Sequence, residues 1–259
     1  MVRITELQNR QLSKLKPIKF KCDKKLGCIP KPLPNLTSFM VFIGLPRSGK
    51  TSLMVSLLTS RKPRIYRGVF DNIILVMPSH SIASLKHNPF KDLDENKIYN
   101  ELNFENLSQI FEQIQEYADE DENTVLIIDD MTSELKNGDI QNLLAQIIQN
   151  RRHLHVSIWI LSQNYLSIPL TPLRKLINYL IFFKPSSAKE RNCVFDELAI
   201  TIPKDDIVTV SKYIWDNSHS FMYLDVLNQK IYKKFNEIKL SNDNDNNAEE
   251  NENESEESV

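Results

Sequence analysis

The chain has 259 residues, 41% of them hydrophobic, with 32 Lys+Arg against 34 Asp+Glu and a formal net charge of −2. The charge is uneven: residues 1–31 hold nine basic and two acidic residues (+7), residues 241–259 hold eight acidic and no basic ones (−8), and the 209 between hold 23 against 24 (−1). This pattern fits one globular body with two charged ends, and the longest apolar stretches, around 156–161 and 176–183, fall short of the ~18–20 residues of a membrane span.

The basic N-terminus is not followed by an apolar run, so it does not read as a secretory signal. Three cysteines cannot build a disulfide framework, and Cys22 and Cys28, six apart, lack a zinc-pair spacing. Reduced thiols and an intracellular location are expected. Residues 1–36, with Pro17, Pro30, Pro32 and Pro34, read as a basic arm ending in a linker at Pro30–Pro34. Residues 36–43 form an apolar run closed by glycine, the first strand. Helix formers with apolar spacing follow over 49–59. A second strand is expected at 72–77, an amphipathic helix through Leu107, Ile110, Phe111, Ile114 and Tyr117, and a third strand at 125–128. Ile140, Leu143, Leu144, Ile147 and Ile148 mark another helix, and strands four and five fall at 156–161 and 179–183. Residues 220–226 and 230–235 read as a terminal hairpin. From Ser241 the chain is nearly all Asn, Asp, Glu and Ser, a composition that buries no apolar surface and is expected to be disordered. The body, residues 37–240, alternates strands with helices. The strands are continuous apolar runs, which predicts an α/β fold with a mostly parallel sheet covered on both faces.

Gly44-Leu-Pro-Arg-Ser-Gly49-Lys50-Thr51 fits the phosphate-loop pattern G-x-x-x-x-G-K-[ST] between a strand and a helix. Gly44, Leu45, Pro46, Arg47, Ser48, Gly49, Lys50, Thr51 and Ser52 are the candidate nucleotide-binding residues. Glycines let the backbone amides turn inward on phosphate oxygens, and the following helix presents its positive end. Lys50 reaches the β- and γ-phosphates of ATP, and the Thr51 hydroxyl is a Mg²⁺ ligand. The run Val125-Leu-Ile-Ile-Asp129-Asp130 ends a buried strand in two carboxylates. Asp129 is the second candidate Mg²⁺ ligand, and Asp130 is placed to polarise the attacking water, with Glu134 as a rival. Ser162-Gln163 ends the fourth strand. An amide at Gln163 can bond both the water and the γ-phosphate.

Three segments, Ile43–Thr51, Leu126–Met131 and Asn150-Arg-Arg-His-Leu-His-Val-Ser-Ile158, continue into Leu161-Ser-Gln-Asn-Tyr-Leu-Ser-Ile-Pro169, Leu173-Arg174 and Phe182-Phe183. In this series the chain resembles the poxvirus-type genome-packaging ATPases of large DNA viruses, a branch of the FtsK–HerA superfamily. The resemblance runs over about residues 38–192. It implies a RecA-like (ASCE) P-loop NTPase core of five strands in the order 5-1-4-3-2, flanked by helices. It also implies ATP hydrolysis in trans within a ring of identical subunits, five or six of them, and double-stranded DNA as the moved substrate. Gln163 takes the sensor role by position. Arg152 is the first candidate for an arginine finger, with Arg174 and Arg191 as rivals. Host cytoplasm, viral factory or virion is the implied setting, with capsid vertex proteins as partners and no membrane. Asp130 stands where many superfamily members have Glu, and Pro46-Arg47 where many relatives have Gly or Tyr.

The main expectation is an ATP-driven DNA translocase that packages a viral genome. The alternative is a nucleotide-binding capsid-assembly factor without sustained turnover. A GTPase is disfavoured, because the only Asn-Lys pair, Asn96-Lys97, has Tyr99 where the base-reading Asp should be. Candidate DNA-contacting loops are 184–191 and 204–212, both rich in lysine or arginine.

Overall fold

The computed structural model describes residues 25–84 and 88–240. Most of the expected basic arm and the whole acidic tail therefore lie outside the described residues. Nine strands form one sheet: β1 (Phe39–Ile43), β2 (Asn72–Val76), β3 (Ile98–Tyr99), β4 (Thr124–Asp129), β5 (Val156–Ser162), β6 (Tyr179–Phe183), β7 (Phe221–Asp225), β8 (Lys230–Lys233) and β9 (Asn236–Ile238). Their order is β3-β2-β4-β5-β1-β6-β7-β8-β9. The expected five-stranded core is present within it as β6-β1-β5-β4-β2, with every neighbour parallel. The sheet is nonetheless larger than five strands. The two-residue β3 extends one side in parallel. On the other side β7, β8 and β9 continue the sheet antiparallel to β6, so the expected hairpin is part of the main sheet.

Apolar side chains from alternate strand positions feed two cores, which explains the continuous hydrophobic runs. On one face Val41, Ile128, Ile158, Leu180 and Leu224 meet helices α3 (Phe104–Asp119), α4 (Gly138–Asn150), α5 (Ala188–Leu198) and α6 (Ile207–Ile214). On the other, Phe42, Ile127, Trp159, Ile181 and Tyr223 meet α1 (Lys50–Thr59) and the segment carrying Tyr66 and Phe70. The short α2 (Ser79–Ala83) follows β2.

Helix starts follow side-chain chemistry. Asn103 accepts from the Asn106 amide at 2.8 Å to start α3, and Asn137 accepts from the Asp139 amide at 2.9 Å to start α4. The expected linker at Pro30–Pro34 is packed rather than free. Leu26 and Leu33 are buried in the second core, the Tyr66 hydroxyl donates to the Pro34 carbonyl at 2.8 Å, and the Tyr223 hydroxyl donates to the Pro32 carbonyl at 3.0 Å. Two tyrosine hydroxyls buried under these prolines need acceptors, and the proline carbonyls supply them.

Because β1, β4, β5 and β6 run parallel, their carboxyl ends meet at one sheet edge, where the loops after β1, β4 and β5 form the site described below. Among the described residues no helix is long and apolar enough to cross a membrane.

Candidate nucleotide site

The loop after β1 turns tightly against the end of β6. A Cβ on Gly44 would lie 2.7 Å from the Phe183 Cβ and 2.7 Å from the Ser48 Oγ, so only glycine fits there. Gly49, at φ +105°, caps α1 in a left-handed conformation, and Arg47 also has positive φ. No side chain caps this helix, in contrast to α3 and α4. Its first amides therefore face the loop rather than a protein acceptor, the arrangement that receives an anion.

The Lys50 ammonium donates to the carbonyls of Gly44 and Leu45. The Thr51 hydroxyl donates to an Asp129 carboxylate oxygen at 2.9 Å. Gln163 Nε2 donates to Asp130 Oδ1 at 3.0 Å. Asp130 has φ +60°, which turns its side chain off the end of β4 towards Gln163. Pro46, Arg47, Lys50, Thr51, Asp129, Asp130, Ser162 and Gln163 line one cavity of about 310 Å³. Three segments far apart in sequence thus contribute to one polar pocket at the carboxyl edge.

Burial governs its electrostatics. Asp129 is 6% exposed, and burial pushes its carboxyl up to about 6, against the opposing effects of the Thr51 hydrogen bond and the Lys50 charge. Burial lowers the Lys50 pKa, while Asp129 and Asp130 oppose that shift. A carboxylate whose charge is incompletely balanced beside a hydroxyl is a pair of hard oxygen donors, which fits Mg²⁺. No group of three or more His, Cys, Asp or Glu able to hold a metal occurs among the described residues.

The other predicted residues fall elsewhere. Gly44, Leu45, Ser48 and Gly49 form the loop behind the cavity lining, and Ser52 is exposed on α1. Glu134 accepts from the Ser133 hydroxyl at 2.8 Å and does not line the cavity. Arg152 precedes β5 on the sheet's amino edge. With seven residues in β5, it sits on the order of 20 Å from its own phosphate loop. Arg174 is half-buried: it pairs with Glu197 at 3.1 Å and lies over the Tyr165 ring at 5.0 Å. Arg191 donates to Asn192 at 3.0 Å.

The sequence reading missed Met77, Ser81 and Ser84, which build the wall beyond β2. Phe183, read from the sequence only within the family series and not as a site residue, backs Gly44, and His219, which was missed, has its Nδ1 3.2 Å from the Ser48 carbonyl. None has a local signature. Each is brought in by strand order or by the antiparallel extension folding back.

A profile of the family described as Poxvirus A32 protein matches residues 32–258. The chain belongs to the Poxvirus A32 protein family. No curated protein matches this family member significantly. Among solved structures it is similar to the genome packaging NTPase B204 from Sulfolobus turreted icosahedral virus 2 in complex with AMP. The TM-score is 0.56 at 15% identity, over 76% of this chain and 96% of that one. It is also similar to B204, the DNA-packaging ATPase from Sulfolobus turreted icosahedral virus, with TM-score 0.58 at 17% identity over 76% and 97% of the two chains. The A32 family member therefore has the α/β fold of a P-loop packaging NTPase.

Proposed function

We propose that this A32 family member is an ATPase that moves double-stranded DNA into a viral capsid. The observation that carries the reading is the single cavity holding Lys50, the Thr51–Asp129 pair and the Asp130–Gln163 pair. Family membership and the fold shared with packaging NTPases support it.

In this reading the loop amides of residues 44–52 and the Lys50 ammonium hold the ATP phosphates. Thr51 and Asp129 hold Mg²⁺, which when bound neutralises phosphate charge. Asp130, exposed at the cavity wall, accepts the proton of the attacking water, and Gln163 fixes the Asp130 carboxylate and orients that water. Arg152, on the far edge of its own sheet, serves a neighbour's site, which makes a closed ring of copies the working unit. The pairing of Arg174 with Glu197 leaves it to hold the loop after β5 against α5. The basic residues 1–31 add sequence-independent contacts to DNA phosphates, and the acidic residues 241–259 compete for the same cations. Capsid vertex proteins are the docking partners, and the setting is the host cytoplasm, viral factory or virion.

The test is ATP turnover with and without duplex DNA, at high protein concentration, with Lys50→Ala and Asp130→Asn as controls. DNA-stimulated turnover that both substitutions abolish is expected. ATP binding without turnover above the Lys50→Ala background would leave an assembly factor instead.

A further inference from the structure

A second cavity, of about 460 Å³, lies just beyond the end of β6, between the β6–α5 loop and α6. Lys184, Arg191 and Lys212 supply its charge, with Ser187, Ser211 and Trp215 among the rest of its lining. Among the described residues no acidic one lines it. Both lysines are exposed, and among the described residues neither has an ion-pair partner. The two carboxylates next in sequence to lining residues, Glu190 beside Arg191 and Asp216 beside Trp215, are engaged elsewhere. Glu190 is buried and accepts from the amides of Tyr165 and Ser186, and Asp216 is paired with Lys233.

Two independent observations point to an anion. Ser187 accepts from the Glu190 amide at 3.1 Å to cap the 11-residue α5, whose first turn opens at the cavity rim with its remaining amides unpaired within the helix. Ser211, 7% exposed, also lines the cavity, and its buried hydroxyl has no hydrogen-bond partner among the described residues. A buried unpartnered hydroxyl is costly unless a ligand completes it.

The cavity is tied to the nucleotide site. The Trp215 indole donates to the Phe182 carbonyl at 3.0 Å, and the next residue, Phe183, is the one that abuts Gly44. The two candidate stretches, 184–191 and 204–212, converge here. A smaller cavity of about 210 Å³ continues from it, sharing Arg191 and Val208. Its Lys204 is partly offset by Asp196 at 3.7 Å.

We propose that the cavity between the β6–α5 loop and α6 binds backbone phosphates of duplex DNA, independently of sequence, one strand end away from the phosphate loop. The proposal rests on the translocase reading. Two lysines without an ion-pair partner among the described residues, with Arg191 beside them at a helix start, suit repeated phosphates, and the wall offers no arrangement for reading base edges. Phosphates seated here press on the strand that backs Gly44, so occupancy is felt at the ATP site.

The test uses the full chain and a 30-base-pair duplex, with affinity measured against salt. Replacing Lys184 and Lys212 together (K184Q/K212Q) removes two counterion-releasing contacts. The slope of log affinity against log salt should fall by about 1.8, and affinity at low salt by on the order of 100-fold. Turnover without DNA stays at the wild-type rate, and stimulation by DNA is lost. Ser211→Ala should weaken binding about fivefold with the salt slope unchanged, since a hydroxyl releases no counterion. If wild type binds DNA and is stimulated by it, and K184Q/K212Q matches it in affinity and slope, the pocket assignment fails and the translocase reading stands. If wild type neither binds DNA nor is stimulated, both fail. If K184Q/K212Q lowers the native mass of the assembly, the cavity is a contact between subunits and the DNA assignment is overturned.

Discussion

The parallel and antiparallel halves of the sheet differ in where their strands deliver chemistry. In the parallel half, β1, β4 and β5 all end at one edge, and each ends in a polar group: the glycine loop, Asp129-Asp130 and Ser162-Gln163. In the antiparallel half the direction alternates. Asp225, at the end of β7, lies opposite Tyr179 on the far edge, and it is the segment before β7 that meets the phosphate loop through His219. Shared direction concentrates functional groups, whereas alternation distributes them and leaves this half to packing. Aromatic contacts fill it: Phe183–Phe221 at 5.3 Å, Phe221–Phe235 at 5.3 Å, Tyr223–Phe235 at 5.7 Å and Tyr179–Tyr223 at 6.0 Å. Substitutions in the two halves should therefore separate turnover from stability.

The largest effect is expected in the parallel half. Asp130→Asn keeps the polar contact to Gln163 but cannot accept a proton. Turnover should fall by roughly 10²–10⁴-fold, with ATP affinity and melting temperature near wild type. Steady-state hydrolysis, equilibrium nucleotide binding and thermal melting check the three together. Equal loss from any polar substitution in β7–β9 would erase the contrast between the halves.

Gly44→Ala comes next. Its methyl would lie 2.7 Å from the Phe183 Cβ, a position that no rotamer change relieves. The loop must shift, at a cost of about 1–3 kcal/mol, and nucleotide affinity should drop at least about tenfold. This substitution sharpens the comparison because its obstacle belongs to β6, the strand shared by both halves. Calorimetric titration with a non-hydrolysable ATP analogue reads it.

Asp129 carries a pH signature. Its folded carboxyl sits at about 6 against an ordinary value of 3.8, because burial disfavours its charge. A raised folded value favours the protonated state, so its contribution to stability is full below the unfolded value and is lost as pH rises through about 6. The difference of 6 − 3.8 corresponds to roughly 3 kcal/mol. Without Mg²⁺ or nucleotide, Asp129→Asn should therefore stabilise the protein at pH 7.5 by about 2 kcal/mol and flatten the pH dependence between 4 and 6. The same substitution should weaken Mg²⁺-dependent nucleotide binding. Chemical denaturation at several pH values measures the first effect. A variant no more stable than wild type at pH 7.5 would mean that water or Lys50 already compensates the charge.

Much of the parallel half was legible because its signals are local. Residues 39–43, 125–128 and 158–161 are uninterrupted apolar runs, as strands covered on both faces must be. The phosphate loop is contiguous, and a carboxylate at the end of such a strand has a place only at the sheet edge. The antiparallel half was only partly legible. The hairpin over β7 and β8 was expected, but α5 and α6 were not. The α5 sequence AKERNCVFDEL is mostly polar, and only its buried Glu190, Val194, Phe195 and Leu198 define a stripe. In α6, β-branched Ile207, Val208, Thr209 and Val210 favour a strand locally, and burial of Ile207, Val210 and Ile214 at helical spacing overrides that preference. The packing of 25–35 was hidden by its prolines, which mark a linker in sequence yet present carbonyls to two tyrosine hydroxyls in the fold.

That last contact supplies the smallest effect and the clearest contrast with Asp130. Tyr223 is fully buried in β7, and its hydroxyl reaches the Pro32 carbonyl at 3.0 Å. Tyr223→Phe removes the bond and leaves an acceptor without a partner, while the ring keeps its contacts with Tyr179, Tyr232 and Phe235. The loss should be about 1 kcal/mol, seen as a lower denaturation midpoint with unchanged slope, and turnover per folded molecule should not change. The bond joins a strand of the extension to the segment 25–35, and neither touches the nucleotide cavity. A change in turnover without a change in stability would show that the aromatic chain from Tyr223 through Phe235 and Phe221 to Phe183 transmits strain to Gly44. The antiparallel half would then be part of the catalytic machinery rather than its support.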